Sequence, residues 1–193
     1  MKYQTLISQN VSALTQTLTK LTEVDLETVE KIATRAAKSL HMGGTIFWCG
    51  NGGSAADAQH LAAELIGRLV NNRRPLSSLS LNSDVAALTC ISNDFGYPEL
   101  FSRQLEGLAT AGDVVIALTT SGMSDNILRC LRKSKQLSIT SVALLGKGGG
   151  DAKSVADYEI VVDSDNTARI QEVHKFLGHT ICQIIERELG FQN

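Results

Sequence analysis

Residues 45–64 read Thr45-Ile46-Phe47-Trp48-Cys49-Gly50-Asn51-Gly52-Gly53-Ser54-Ala55-Ala56-Asp57-Ala58-Gln59-His60-Leu61-Ala62-Ala63-Glu64. A continuous apolar run opens the stretch, a glycine cluster interrupts it, and an alanine-rich helical pattern follows. An uninterrupted apolar run suits a strand buried on both faces, as in a parallel sheet. The glycines allow a tight strand-to-helix turn. Ser54 is the expected N-cap of a helix running from about Ala55 to Val70, with Asp57 as its capping-box partner.

The same strand–helix rhythm continues outward. Leu76–Leu81, Val114–Leu118, Ile139–Leu145 and Tyr158–Val162 are further strand candidates. Helical stretches are expected from Asp84, from about Glu99, from Ser124 to Lys135, and along Ile170, Val173, Leu177, Ile181 and Ile184. Before the first strand lie two helical patterns, Val11-Leu14-Leu18-Leu21 and Val29-Ile32-Ala33-Ala36-Ala37-Leu40, the second ending at Gly43-Gly44. Alternating strands and helices predict an α/β fold: a three-layer sandwich with a mainly five-stranded parallel sheet flanked by helices, plus N-terminal helices. Two leading helices cannot bury both their faces alone, so they must pack on the rest of the chain, on another subunit, or on both.

Composition narrows the function classes. The 193 residues are 43% hydrophobic and 20% charged, enough for a packed core and too apolar for disorder. A net charge of -2 gives no broad attraction to nucleic acid. The start, MKYQTLISQN, has no apolar signal-peptide core, and no apolar run approaches the roughly 20 residues that span a bilayer. Neither a nucleic-acid nor a membrane partner is expected. The four cysteines form no C-x-x-C pair and sit among apolar residues, which predicts reduced, buried thiols in a cytoplasmic protein.

Ligands of parallel α/β sheets bind at the carboxyl ends of the strands. Three loops stand there. The first, Gly50-Asn51-Gly52-Gly53-Ser54-Ala55, fits the dinucleotide pattern G-x-G-x-x-A. The acidic residue that would hold a ribose is missing, since Asp84 is better placed as a helix N-cap. A bare chain-reversing turn is the plainer alternative. The second loop, Thr119-Thr120-Ser121-Gly122-Met123-Ser124, puts four hydroxyls before a helix N-terminus. Neutral donors and a helix dipole suit a phosphate monoester there; ordinary capping would need only one of the four. The third, Gly146-Lys147-Gly148-Gly149-Gly150, is glycine-rich.

His60 and Glu64, four residues apart, share one helix face. The last helix carries Gln171, Glu172, His174 and His179. Such residues can bind a divalent metal, but the set has no signature spacing, and a solvated face or a satisfied core histidine is the commoner origin of such a pattern. Glu64 and His179 could equally serve as an acid–base pair.

Four segments, CGNGGSAADAQHLAAELIGR (49–68), NDFG (93–96), TTSGMS (119–124) and RIQEVHKFLGH (169–179), resemble in order and spacing the sedoheptulose 7-phosphate isomerases, bacterial phosphoheptose isomerases of the sugar-isomerase (SIS) class. The resemblance runs from about Gly43 to the C-terminus. It implies a flavodoxin-like SIS domain over 44–193, with 1–43 as a helical oligomerisation segment and one structural domain overall. It also implies a homotetramer that converts sedoheptulose 7-phosphate to D-glycero-D-manno-heptose 7-phosphate, the first step of ADP-heptose supply for lipopolysaccharide cores. By the same carry-over, Thr119, Thr120, Ser121 and Ser124 would hold the phosphate. Asn51, Gly52 and Gly53 would approach the sugar, and Asn93 and Asp94 would contact its hydroxyls. His60, Glu64, Gln171 and His179 match the family's zinc ligands, one ion per subunit. Glu64 and His179 match its acid–base pair, and Glu64 and Gln171 would also touch substrate. Two positions depart from the pattern: Thr119 replaces a serine and keeps the hydroxyl, and Ala168 stands where some members carry aspartate, so any role of that aspartate is in doubt here.

Gln171 and His179 are eight residues apart, about 12 Å along a continuous helix. Both can serve one ion only if the helix begins near Gln171 or if they act through different subunits. The active site is therefore expected at a subunit interface. The main rival is a non-catalytic SIS relative that binds the bacterial replication initiator. Glu64 and His179 favour the enzyme over that branch. A sugar-phosphate-sensing regulator would need room for a DNA-binding domain.

Overall fold

Five parallel strands form one sheet in the order β2-β1-β3-β4-β5, with β1 at Ile46–Gly50, β2 at Ser78–Ser80, β3 at Val114–Thr119, β4 at Thr140–Gly146 and β5 at Tyr158–Val162. The computed structural model describes residues 2–191. Met1, Gln192 and Asn193, at the outer ends of the two expected segments, lie outside the described residues. The helices are α1 (Gln4–Thr19), α2 (Glu23–His41), α3 (Gly53–Ile66), α4 (Val85–Asp94), α5 (Leu100–Leu108), α6 (Asp125–Gln136) and α7 (Thr167–Glu188).

The strand residues alternate between two cores. Ile46, Trp48, Val114, Ile116, Leu118, Val142, Leu144 and Ile160 face α2, α3 and α7. Phe47, Cys49, Val115, Ala117, Ala143 and Leu145 face α5 and α6, with Leu88 and Ile91 of α4 packed alongside. The sheet is therefore covered on both sides, which is why its strands read as continuous apolar runs. The expected three-layer α/β sandwich is the observed one. The order reverses between β1 and β3, so the loops that follow these two strands lie side by side at the switch point.

Local chemistry sets most helix ends. Thr22 and Asp25 form a reciprocal capping box on α2, Asp84 caps α4 through the Ala87 N–H, and Asn166 caps α7. Helix α3 departs from expectation. It starts at Gly53 with no side-chain cap, and Asp57 pairs with Lys175 of α7 at 2.8 Å instead of closing a box with Ser54. It also ends at Ile66 rather than Val70, because Gly67 terminates it and Arg73 takes up the carbonyls of Glu64, Leu65 and Gly67. Leu21 falls in the link between α1 and α2, where it packs partly against the core.

The stripe Val29, Ile32, Ala33, Ala36, Ala37 and Leu40 of α2 is buried in the chain's own core, chiefly against α7. Helix α1 is different. Only Thr17 is buried, and Leu6, Ile7 and Val11 are exposed. Three cysteines are buried as expected, but Cys90 is exposed, because α4 lies on the outside of its layer and buries none of its residues fully. No helix among the described residues is long and apolar enough to cross a membrane.

Candidate functional site

The hydroxyl loop follows β3 and leads into α6, whose N-cap Ser124 makes no side-chain capping bond. The first turn of α6 therefore keeps its positive end free for an anion. Thr119 Oγ1 accepts from the Gly122 N–H and Ser121 Oγ from the Met123 N–H, each at 3.2 Å, so neither bond uses the hydroxyl proton. Thr119 is buried, while Thr120, Ser121 and Ser124 are half-buried. The glycine loop after β4 braces this turn from behind: the Ala152 N–H donates to Gly122 O at 2.9 Å. Gly122 has φ +66°, and a Cβ there would run into the carbonyl of Gly149. The third glycine cluster thus supports the second loop by backbone-to-backbone packing.

The first loop is held by amides. Asn82 accepts from the Gly50 N–H at 3.2 Å and donates to Gly50 O at 2.9 Å, while Gln59 donates to Asn82 O at 2.9 Å. Asn51 exchanges two 2.9 Å bonds with Asn126 of α6, and its Oδ1 also accepts from the Tyr97 hydroxyl at 2.6 Å. A cleft of about 250 Å3 opens beside it, lined by Asn51, Gly52, Asn82, Thr89, Ser92 and Tyr97 among others. Asn93 and Asp94 sit next to this cleft at the end of α4, exposed and bonded to each other, and do not line it. The sequence alone does not single out Tyr97, Asn82 or Asn126. Tyr97 follows NDFG directly and Asn126 follows TTSGMS by one residue, so adjacency to the motifs was the available signal.

Asp84, the one candidate for a ribose contact, spends its carboxylate on capping α4. The dinucleotide reading of the glycine loop loses its acidic residue.

Helices α3 and α7 pack in parallel, with Gly53 against Gln171, Asp57 on Lys175, Leu61 on Gly178 and His60 on His179. Gly178 permits the close approach, since a Cβ there would meet the Leu61 side chain. His60 Nε2 lies 2.7 Å from His179 Nε2 and 3.3 Å from Glu64 Oε1. One ligand atom from each of the three falls within 4.8 Å of the others. Burial, and then the neighbouring His60, hold His179 below the usual histidine range. Two imidazole nitrogens aimed at each other beside a carboxylate are a donor set that fits zinc. Gln171 is not brought to this group within one chain. Its amide lies against Gly53, about 12 Å along continuous α7 from His179.

Two buried contacts hold these helices. His174 Nε2 bonds Leu145 O at 3.0 Å, and burial pushes its imidazole down to about 4. Arg73 directs its donors to Glu186 (2.7 Å) and to the carbonyls of Glu64, Leu65, Gly67 and Arg74, tying the end of α3 to the end of α7.

The SIS domain family matches residues 9–146. The chain is similar to the phosphoheptose isomerase of Akkermansia muciniphila, at 47% identity over 86% of each chain. It is similar also to that of Helicobacter pylori, at 43% identity over 97% of this chain and 98% of that one. The solved structure of phosphoheptose isomerase GmhA from Neisseria gonorrhoeae superimposes with a TM-score of 0.88 at 34% identity, covering 95% of this chain and 98% of the other.

Proposed function

The chain belongs to the phosphoheptose isomerases, a family of SIS-domain proteins, and from that premise we propose that it converts sedoheptulose 7-phosphate to D-glycero-D-manno-heptose 7-phosphate, the first step of ADP-heptose supply for lipopolysaccharide. It is an isomerase, and the initiator-binding alternative is not favoured, because relatives over nearly its whole length are named for the enzyme.

The observation that carries the reading is the convergence of His60, Glu64 and His179 on the parallel α3–α7 pair. An aldose–ketose isomerase removes a proton from the carbon beside a carbonyl and returns one to the neighbouring carbon, through an enediolate. Glu64 takes the proton from C1 of the ketose and delivers it to C2. His179, kept largely neutral by its surroundings, carries the proton between O1 and O2. Thr120, Ser121 and Ser124, with Thr119 bracing the turn, hold the phosphate at the start of α6. Asn51, Gly52 and Gly53 approach the sugar, Gln171 meets it beside Gly53, and Asn93 and Asp94 reach its hydroxyls from the cleft rim.

His60, Glu64 and His179 would hold a zinc ion, one per subunit, with Gln171 completing the set only from elsewhere in an assembly. What a divalent ion supplies when bound there is polarisation of the carbonyl and stabilisation of developing negative charge. The assembly in this reading is a cytoplasmic homotetramer with residues 1–43 as its oligomerisation segment, supported by the exposed Leu6, Ile7 and Val11 of α1.

The test is incubation with sedoheptulose 7-phosphate and, in parallel, with unphosphorylated sedoheptulose, following aldose formation. Turnover of the phosphate ester and little of the free sugar is expected. Equal turnover of both would remove the phosphate loop from the account, and no turnover of either would overturn the reading.

A further inference from the structure

Asn51 and Asn126 join the two ligand loops across the switch point. Asn51 follows β1, and Asn126 is the second residue of α6, with only Asp125 between it and the hydroxyl loop. Their side-chain amides exchange two bonds of 2.9 Å, and Asn126 is only 2% exposed. Tyr97 adds a third bond, 2.6 Å, to the same Asn51 oxygen. The acceptor capacity of Asn51 Oδ1 is then filled, and one of its two N–H donors is used. A single N–H remains for a ligand, and its direction is set by the plane of an amide that Asn126 clamps. Nothing else in the first loop fixes that plane: Asn82 grips Gly50 through its main chain and leaves Asn51 alone.

We propose that Asn126 is a positioning residue that locks the Asn51 amide against the phosphate-holding end of α6, so that the sugar contact and the phosphate contact keep one fixed separation. Tyr97 is the secondary brace of the same lock. The inference rests on the isomerase reading above, because it needs a substrate anchored at both loops. Removing the lock affects a ligand that spans the two loops and spares one that occupies only the hydroxyl loop. Inorganic phosphate is such a ligand, and Asn126→Ala keeps every main-chain N–H that could meet it.

The test compares wild type, Asn126→Ala, Tyr97→Phe, Asn51→Ala and the Asn51→Ala/Asn126→Ala double variant. The readouts are kcat/KM for sedoheptulose 7-phosphate and the inhibition constant of inorganic phosphate. Asn126→Ala removes both hydrogen bonds to the Asn51 amide and is expected to lower kcat/KM roughly tenfold. Tyr97→Phe is expected to lose roughly threefold in the same direction, and it alters no buried amide if the larger change proves hard to fold. Phosphate inhibition should stay within about twofold in both. The double variant should lose no more than Asn51→Ala alone, since Asn126 acts through Asn51. An active wild type with Asn126→Ala unchanged overturns the inference alone. So does an equal loss of phosphate inhibition, which marks a merely structural role, and so does a double variant whose losses multiply. An inert wild type overturns the isomerase reading, and this inference with it.

Discussion

Gly122 is the residue on which the phosphate loop turns. Its φ of +66° and its contact with the Gly149 carbonyl leave no space for a side chain. Gly122→Ala should destabilise the protein by about 2 kcal/mol and weaken inhibition by inorganic phosphate, read by urea denaturation and by steady-state kinetics. His174 makes a different kind of prediction. An unfolded histidine titrates near 6.5, whereas burial lowers His174 to about 4. Between these values the unfolded chain binds the extra proton. The neutral imidazole's contribution is therefore complete above pH 6.5 and is lost as pH falls toward 4, by about 1.4 kcal/mol per unit. Wild type should exceed His174→Gln in stability at pH 7.5, and the gap should narrow by about 2 kcal/mol at pH 5. A gap that does not change with pH would exclude His174 as the acid-sensitive group.

At the scale of elements, the site is the parallel contact of α3 and α7, and the Arg73–Glu186 pair fastens its far end. Both side chains are buried, at 0% and 1% exposure. Glu186→Ala leaves a buried guanidinium without its counter-charge and should cost about 3–5 kcal/mol in a denaturant titration at pH 7. How much of this was legible depended on the range of the contact. The strands are legible in the sequence: β5 matches its expected bounds, and the others shift by a residue or two, because apolar runs between polar turns are local signals. The hydroxyl loop and the His60–Glu64 spacing were visible for the same reason. Ser54 and Asp57 look like a capping box for α3 in the sequence alone, because Lys175, the actual partner of Asp57, comes from distant α7. The role of the glycine cluster after β4 was hidden, since its partner is the backbone of Gly122. Asn126 is hidden in the sequence because an amide one residue into a helix looks like a start signal, and only the strand order brings it to Asn51.

At the scale of the whole molecule, α1 and the start of α2 leave Leu6, Ile7, Val11, Val24 and Leu26 exposed. Gln171 and His179 meanwhile lie eight residues, about 12 Å, apart on one continuous helix. Both facts suit an assembly whose sites combine residues from neighbouring copies. Co-refolding Glu64→Gln with Ser121→Ala should then give activity above the sum of the two alone, by pairing an intact base from one chain with an intact phosphate loop from another. Mixtures that stay inert would argue for sites closed within single chains. The central claim, that Glu64 and His179 move the protons of a heptose phosphate isomerisation, is tested most directly by one measurement. Sedoheptulose 7-phosphate is supplied to wild type, Glu64→Gln and His179→Ala under equal conditions, and the aldose phosphate is followed by proton NMR. The account predicts conversion by wild type and a loss of at least about 100-fold in each variant with the fold retained. Folded variants that keep full activity, or an inert wild type, would contradict it.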